Sequence, residues 1–249
     1  MGAEREAGIG GGVITAVDAL DLAVDAHVHT GFAAGRDSVG VLVSAADHAG
    51  LTSLTFADQV GPDTTWLPAY ADAVRRARRR TELTLRVAAE VEVVQPDGWL
   101  AWPADLGHLE AVSVAVSRLP LAAGLLGPRD VRAQLAAGDL TGEQVVESLI
   151  MATVRGIERA SRYAPTQLAR PLSLLAQVGL DDTAVTGDLL ATLAAACRET
   201  GTAVEISEAW RSPSAGLVAV LRAAQVTLVA ASDARYAGEL GRWQYVRRV

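Results

Sequence analysis

Seven short apolar runs separated by helix-like stretches constrain this chain more than any other feature. The runs read as strands at residues 24–30, 51–57, 83–94, 111–117, 171–178, 203–207 and 226–231. Most are continuously apolar rather than alternating, the pattern of strands buried on both faces of a parallel sheet. Between most of them lie stretches with apolar residues three and four apart: 38–50, 66–80, 127–163 with a break at 138–142, 186–200 and 214–224. Those spacings predict amphipathic helices, and parallel neighbours need such crossovers. The chain is therefore expected to be α/β, with a closed or nearly closed barrel as first choice and a doubly wound open sheet as second. Its 249 residues suit one barrel domain over 21–249, preceded by a Gly-rich segment at 1–20 that reads as flexible.

Composition narrows the function classes. A net charge of -7 argues against non-specific binding to nucleic acid or anionic membranes. The first residues lack the apolar core of a signal peptide, and no uncharged run approaches the ~20 residues of a membrane span. A cytoplasmic protein is expected. One cysteine excludes an internal disulfide, and Cys197 sits in an apolar helical pattern that suits a core residue.

In either architecture ligand sites lie at the C-terminal ends of the strands. In order, those ends carry His27 and His29, then Asp58 and Gln59, Glu90 and Glu92, Ser117 and Arg118, Gln177, Glu205 and Glu208, and finally Ser232, Asp233 and Arg235. Two histidines at i and i+2 on a strand share a face, and neutral imidazole is a good metal ligand. Alone, His-x-His is a weak motif that an ordinary polar strand end explains as well. Carboxylates after later strands make a metal or acid–base site the stronger reading.

The same residues resemble the polymerase and histidinol phosphatase (PHP) superfamily over nearly the whole chain. Its opening Asp-x-His-x-His-Thr stands as Asp25 to Thr30, and its apolar-Thr-Asp-His as Leu54-Thr55 followed by Asp58-Gln59. A strand-end Glu before an Asp-Gly turn stands as Glu90 with Asp97-Gly98. Ser-x-His stands as Ala115-Val116-Ser117, and Ala-His-Pro as Ala176-Gln177-Val178. A Gly-x-x-x-Glu-Ile-Asn segment stands as Gly201 to Ser207, and the closing Gly-Ser-Asp-Ala-His as Ala231 to Arg235. The resemblance implies a distorted barrel of seven strands and metal-dependent phosphoester hydrolysis with up to three ions. One implied ligand set, His27, His29, Glu90 and Asp233, is intact. The histidines implied for a second ion stand as Ser117 and Gln177, and those for a third as Gln59 and Arg235.

A single divalent transition ion, Zn²⁺, Fe²⁺ or Mn²⁺, is therefore expected on two imidazoles and two carboxylates. The expected activity is hydrolysis of a small anionic metabolite, a phosphoester first. Asp58 is the candidate general base or else a partner of a ligating histidine. Arg235 and Arg118 are candidates to hold the anion in place of a lost ion, or to pair with carboxylates. Gln59, Gln177 and Ser117 can hydrogen-bond a substrate, and Trp66, Trp210 and Arg211 can wall its pocket. His48 and His108 fall outside the motifs. The competing readings are a biosynthetic metalloenzyme of another chemistry and a non-catalytic binding or regulatory barrel.

Overall fold

Most strands and helices follow from local rules. In the computed structural model, residues 20–249 are described, so the expectation for 1–20 lies almost wholly outside them. The chain runs through β1 (Val24–Val28), α1 (Val39–His48), β2 (Ser53–Val60), α2 (Leu67–Arg78), β3 (Thr84–Glu92) and β4 (Ala111–Ala115). A small hairpin follows, β5 (Leu119–Leu121) with β6 (Gly124–Leu126). Then come α3 (Pro128–Ala137), α4 (Gly142–Ala160), β7 (Thr166–Leu168), α5 (Ser173–Gln177), α6 (Gly187–Thr200), β8 (Ala203–Ser207), α7 (Ala215–Ala223) and β9 (Leu228–Ala231). Side-chain oxygens of Ser38, Thr141, Thr186 and Ser214 cap α1, α4, α6 and α7 at their otherwise unsatisfied first N–H groups. Gly138, at φ 79, ends α3 in the left-handed conformation that glycine adopts without steric cost. The expected break at 138–142 lies there.

Seven strands form one parallel sheet in the order β1-β2-β3-β4-β7-β8-β9. The sheet curls until its edges meet. Val28 bridges Ala234 in parallel, with His29 N donating to Ala234 O and Asp233 N to His27 O, both at 2.9 Å. The fold is thus an α/β barrel, nearly closed, and the open sheet is excluded. On one flank α1 and α2 press Leu42, Leu67, Tyr70 and Val74 against Leu54 and Phe56 of β2. On the other, Leu149, Ile150 and Ile157 of α4 pack with Val112 and Val114 of β4 and with Leu193 and Cys197 of α6. Burial pushes the Cys197 thiol up to about 12, so it stays protonated and inert. Among the described residues no helix is long and apolar enough to cross a membrane.

One expected element is wrong. The run at 171–178 is not a strand; its middle is the short helix α5, and the fifth barrel strand is the three-residue β7 just before it. The chain turns between them through left-handed backbone at Arg170 (φ 35) and Leu172 (φ 60). A short apolar run carries no period that separates helix from strand, and Thr-Gln-Leu has too few residues to announce itself. The helix removes Gln177 from any strand end. Its amide donates to Ser173 O, one turn back.

Candidate metal centre

The barrel closure brings first and last strands together, and their polar ends meet in the interior. His27 and His29 lie on one face with ring centroids 4.8 Å apart, both fully buried. Glu205 on β8 accepts from His27 Nδ1 at 2.8 Å. That bond leaves Nε2 as the metal-capable nitrogen. His27 Nε2 is buried without a hydrogen-bond partner, 3.3 Å from Glu90 Oε2. His29 Nε2 lies 2.9 Å from Asp233 Oδ1 and 4.0 Å from Glu90 Oε2. Donors about 2.0–2.2 Å from a shared ion sit about 3–3.5 Å apart, and the two histidines with Glu90 come near that spacing, while Asp233 reaches the group through His29. His27, His29 and Glu90 alone offer ligand atoms that all lie within 4.8 Å of one another. Zn²⁺, Fe²⁺ and Mn²⁺ all suit mixed imidazole and carboxylate donors.

Arg170, which no motif of the sequence singles out, also lies in this interior. It follows β7 in Ala169-Arg170-Pro171, so Arg170, rather than Gln177, stands at the end of the fifth barrel strand. Its guanidinium is 3% exposed and donates twice to Glu90, Nη1 to Oε2 and Nη2 to Oε1, each at 2.6 Å. Nη1 also lies 3.8 Å from Asp233 Oδ2. The Trp210 ring covers the guanidinium at 5.3 Å, and its indole Nε1 donates to Asp233 Oδ2 at 2.8 Å. An arginine between a short strand and a proline, in a chain whose other strand ends carry histidines and carboxylates, is the signal that would have found it.

Charge in this interior is strongly coupled. Burial alone would raise the Glu90 and Asp233 carboxyls. Hydrogen bonding to His27 and the Arg170 charge outweigh it at Glu90, and His29 with His27 outweighs it at Asp233, so both end lowered. Burial disfavours protonation of the histidines, but Glu205 and Glu90 around His27, and Asp233 and Asp58 around His29, outweigh it and raise both imidazoles.

The other expected site residues fall into two groups. Asp58 belongs to the cluster: it is fully buried, Oδ1 accepts from Thr30 N at 2.8 Å and lies 3.7 Å from His29 Nδ1, and Oδ2 accepts from the Thr30 hydroxyl. Gln59 is in register with Glu90 across β2 and β3 and donates to its Oε1 at 3.1 Å. Trp210 and Arg211 line a cavity of about 150 Å³ with Leu172, Ser173 and Ser212. Ser117 donates to Glu92 Oε2 at 2.6 Å rather than to a ligand residue. Trp66 packs on Phe32 and Tyr70 beside α2. Arg118 and Arg235 are exposed, and among the described residues neither guanidinium has an ion-pair partner. The carboxyl of Glu208 accepts from the backbone N–H groups of Tyr245 and Val246, away from the histidines.

No family model and no curated protein sequence matches the chain. Among solved structures, the HpcH/HpaI aldolase from Desulfitobacterium hafniense DCB-2 aligns at a TM-score of 0.38 and 14% identity, covering 84% of this chain and 86% of its own. The proposed histidinol phosphatase HisK from Listeria monocytogenes aligns at a TM-score of 0.61 and 13% identity, covering 91% of this chain and 100% of its own. That second likeness is one of fold, and the shared architecture is the nearly closed parallel barrel described above.

Proposed function

We propose that this chain is a single-metal hydrolase of a small anionic metabolite, a phosphoesterase-like enzyme of the PHP type. The observation that carries the reading is His27 Nε2, a buried nitrogen with no partner whose opposite ring nitrogen is held by Glu205. Such an arrangement suits a ligand. His27, His29, Glu90 and Asp233 would hold one divalent transition ion. A bound ion of this kind lowers the pKa of water and polarises a phosphoryl oxygen. Asp58, whose two oxygens are engaged with Thr30 and which lies 3.7 Å from His29 Nδ1, supplies a buried negative charge beside His29. Arg170 holds Glu90 in place and adds a fixed positive charge beside the reacting group. Arg118, Arg211 and Arg235 supply guanidinium groups for the anion, and Trp210 with Arg211 walls the adjoining cavity.

A second reading has an observation of its own. Arg170 occupies both oxygens of Glu90, which favours a barrel that binds an anion without catalysis. Elemental mass spectrometry on protein purified without chelator separates the two. About one transition ion per chain, lost in the double variant His27→Ala with His29→Ala, together with hydrolysis of phosphoesters, is the result expected. No ion after reconstitution overturns the metalloenzyme reading in favour of the binding barrel.

A further inference from the structure

We infer that Arg170 occupies a cation subsite of this centre, so that its guanidinium stands where a divalent ion would otherwise bind beside Glu90 and Asp233. The inference rests on the proposed function only for the ion held by the histidines, and it is tested as a difference between variants.

Geometry and charge carry it. Five carboxylates, Asp25, Asp58, Glu90, Glu205 and Asp233, are buried in one interior. Among the described residues Arg170 is the one arginine that pairs with any of them. The guanidinium faces three carboxylate oxygens, both of Glu90 and Oδ2 of Asp233. Three oxygens converging on one point are the usual surroundings of a hard or borderline divalent cation. A guanidinium brings one charge and a planar fork, which matches the two oxygens of one carboxylate. An ion brings two charges and gathers oxygens from several residues. Trp210 fixes the group from above by its ring and by its bond to Asp233, while Gln59 adds a neutral donor to Glu90. The backbone is also shaped for it, since Arg170 sits at φ 35 and Asp233 at φ 55, conformations that cost energy for these residue types. Removing the guanidinium strips Glu90 and Asp233 of their cation in a buried place, where an unpaired charge is strongly unfavourable. The freed oxygens then recruit an ion.

The probe is Mn²⁺. Wild type, Arg170→Ala, Arg170→Gln and Arg170→Lys are dialysed to equilibrium against it, and bound ion per chain is measured by elemental mass spectrometry. The alanine and glutamine variants are expected to hold one ion more than wild type, and the lysine variant, which keeps the charge, the wild-type number. One ion in wild type and two in the variants supports both readings. None in wild type and one in the variants overturns the proposed function and leaves this inference standing. No rise in a variant with a native circular dichroism spectrum overturns the inference, as does an equal rise in the lysine variant. A variant that regains its native spectrum only when Mn²⁺ is added supports it, and one that stays unfolded with Mn²⁺ overturns it.

Discussion

Asp25 is fully buried two residues before His27, and its two oxygens have unequal fates. Oδ1 accepts from Ser232 N at 2.9 Å and from His27 N at 3.3 Å, while Oδ2 has no partner. Burial pushes the carboxyl up to about 6. A folded-state value above the unfolded one means a contribution that is most favourable at low pH and is lost as pH rises through about 6. At neutral pH the ionised group costs about 3 kcal/mol. Asp25→Asn keeps the accepting oxygen and removes the charge. Its thermal midpoint is expected to exceed that of wild type at pH 7–8, with the gain disappearing near pH 4. A difference that stays constant across that range contradicts the account. Glu205 offers a second test, because it fixes His27 through Nδ1. Glu205→Gln is expected to weaken ion binding by about 10–100-fold, read by titration calorimetry. The strand-end placement of His27, His29, Glu90 and Asp233 was legible in the sequence from the apolar runs beside them, whereas their selection as one ligand set came from the family resemblance. Arg170 was not legible, because only three residues of strand precede it, and the apolar run after it drew the strand boundary to the wrong side.

At the scale of elements, periodicity and caps carried most of the information. Ser38, Gly138 and Ser214 mark helix ends that the structure has within a residue or two. The strand at β2 runs further than its apolar residues suggest, to Val60, and that extension sets Gln59 beside Glu90. Hydrophobicity alone does not report such an extension, since pairing with β3 supplies the backbone hydrogen bonds. The turn after β3 is more tightly specified. Gly98 has φ +80, and a Cβ there would lie 2.4 Å from the backbone of Arg155 on α4. Helix backbone has no room to yield, so Gly98→Ala is expected to cost more than about 1 kcal/mol. The measurement is a urea midpoint that falls with an unchanged slope. An unchanged midpoint would mean that this turn does not set the distance between α4 and the strand that carries Glu90.

For the whole molecule, the centre acts as a clasp between the ends of the sheet. An ion that binds the folded chain alone stabilises it by about 3 kcal/mol at a hundredfold excess over its dissociation constant. For a barrel of this size that corresponds to about 5–10 °C in thermal midpoint. Chelation is expected to lower the midpoint by that amount, and the shift is expected to shrink below neutral pH. The raised imidazoles take up protons there, and protons compete with the ion. A chelator shift that is the same at pH 5.5 and pH 8 would contradict this. The bond between His29 and Asp233 also spans 204 positions of the chain. A ribosome adding about 5–20 residues per second takes roughly 10–40 s to travel that distance. Throughout that interval the histidines of β1 have no Asp233 to meet, and a nascent chain stalled in the last helix carries an incomplete ligand set. In the proposed four-ligand centre, loading with the ion is therefore expected only after Asp233 has been made, and a chain that ends before it is expected to hold the ion more weakly.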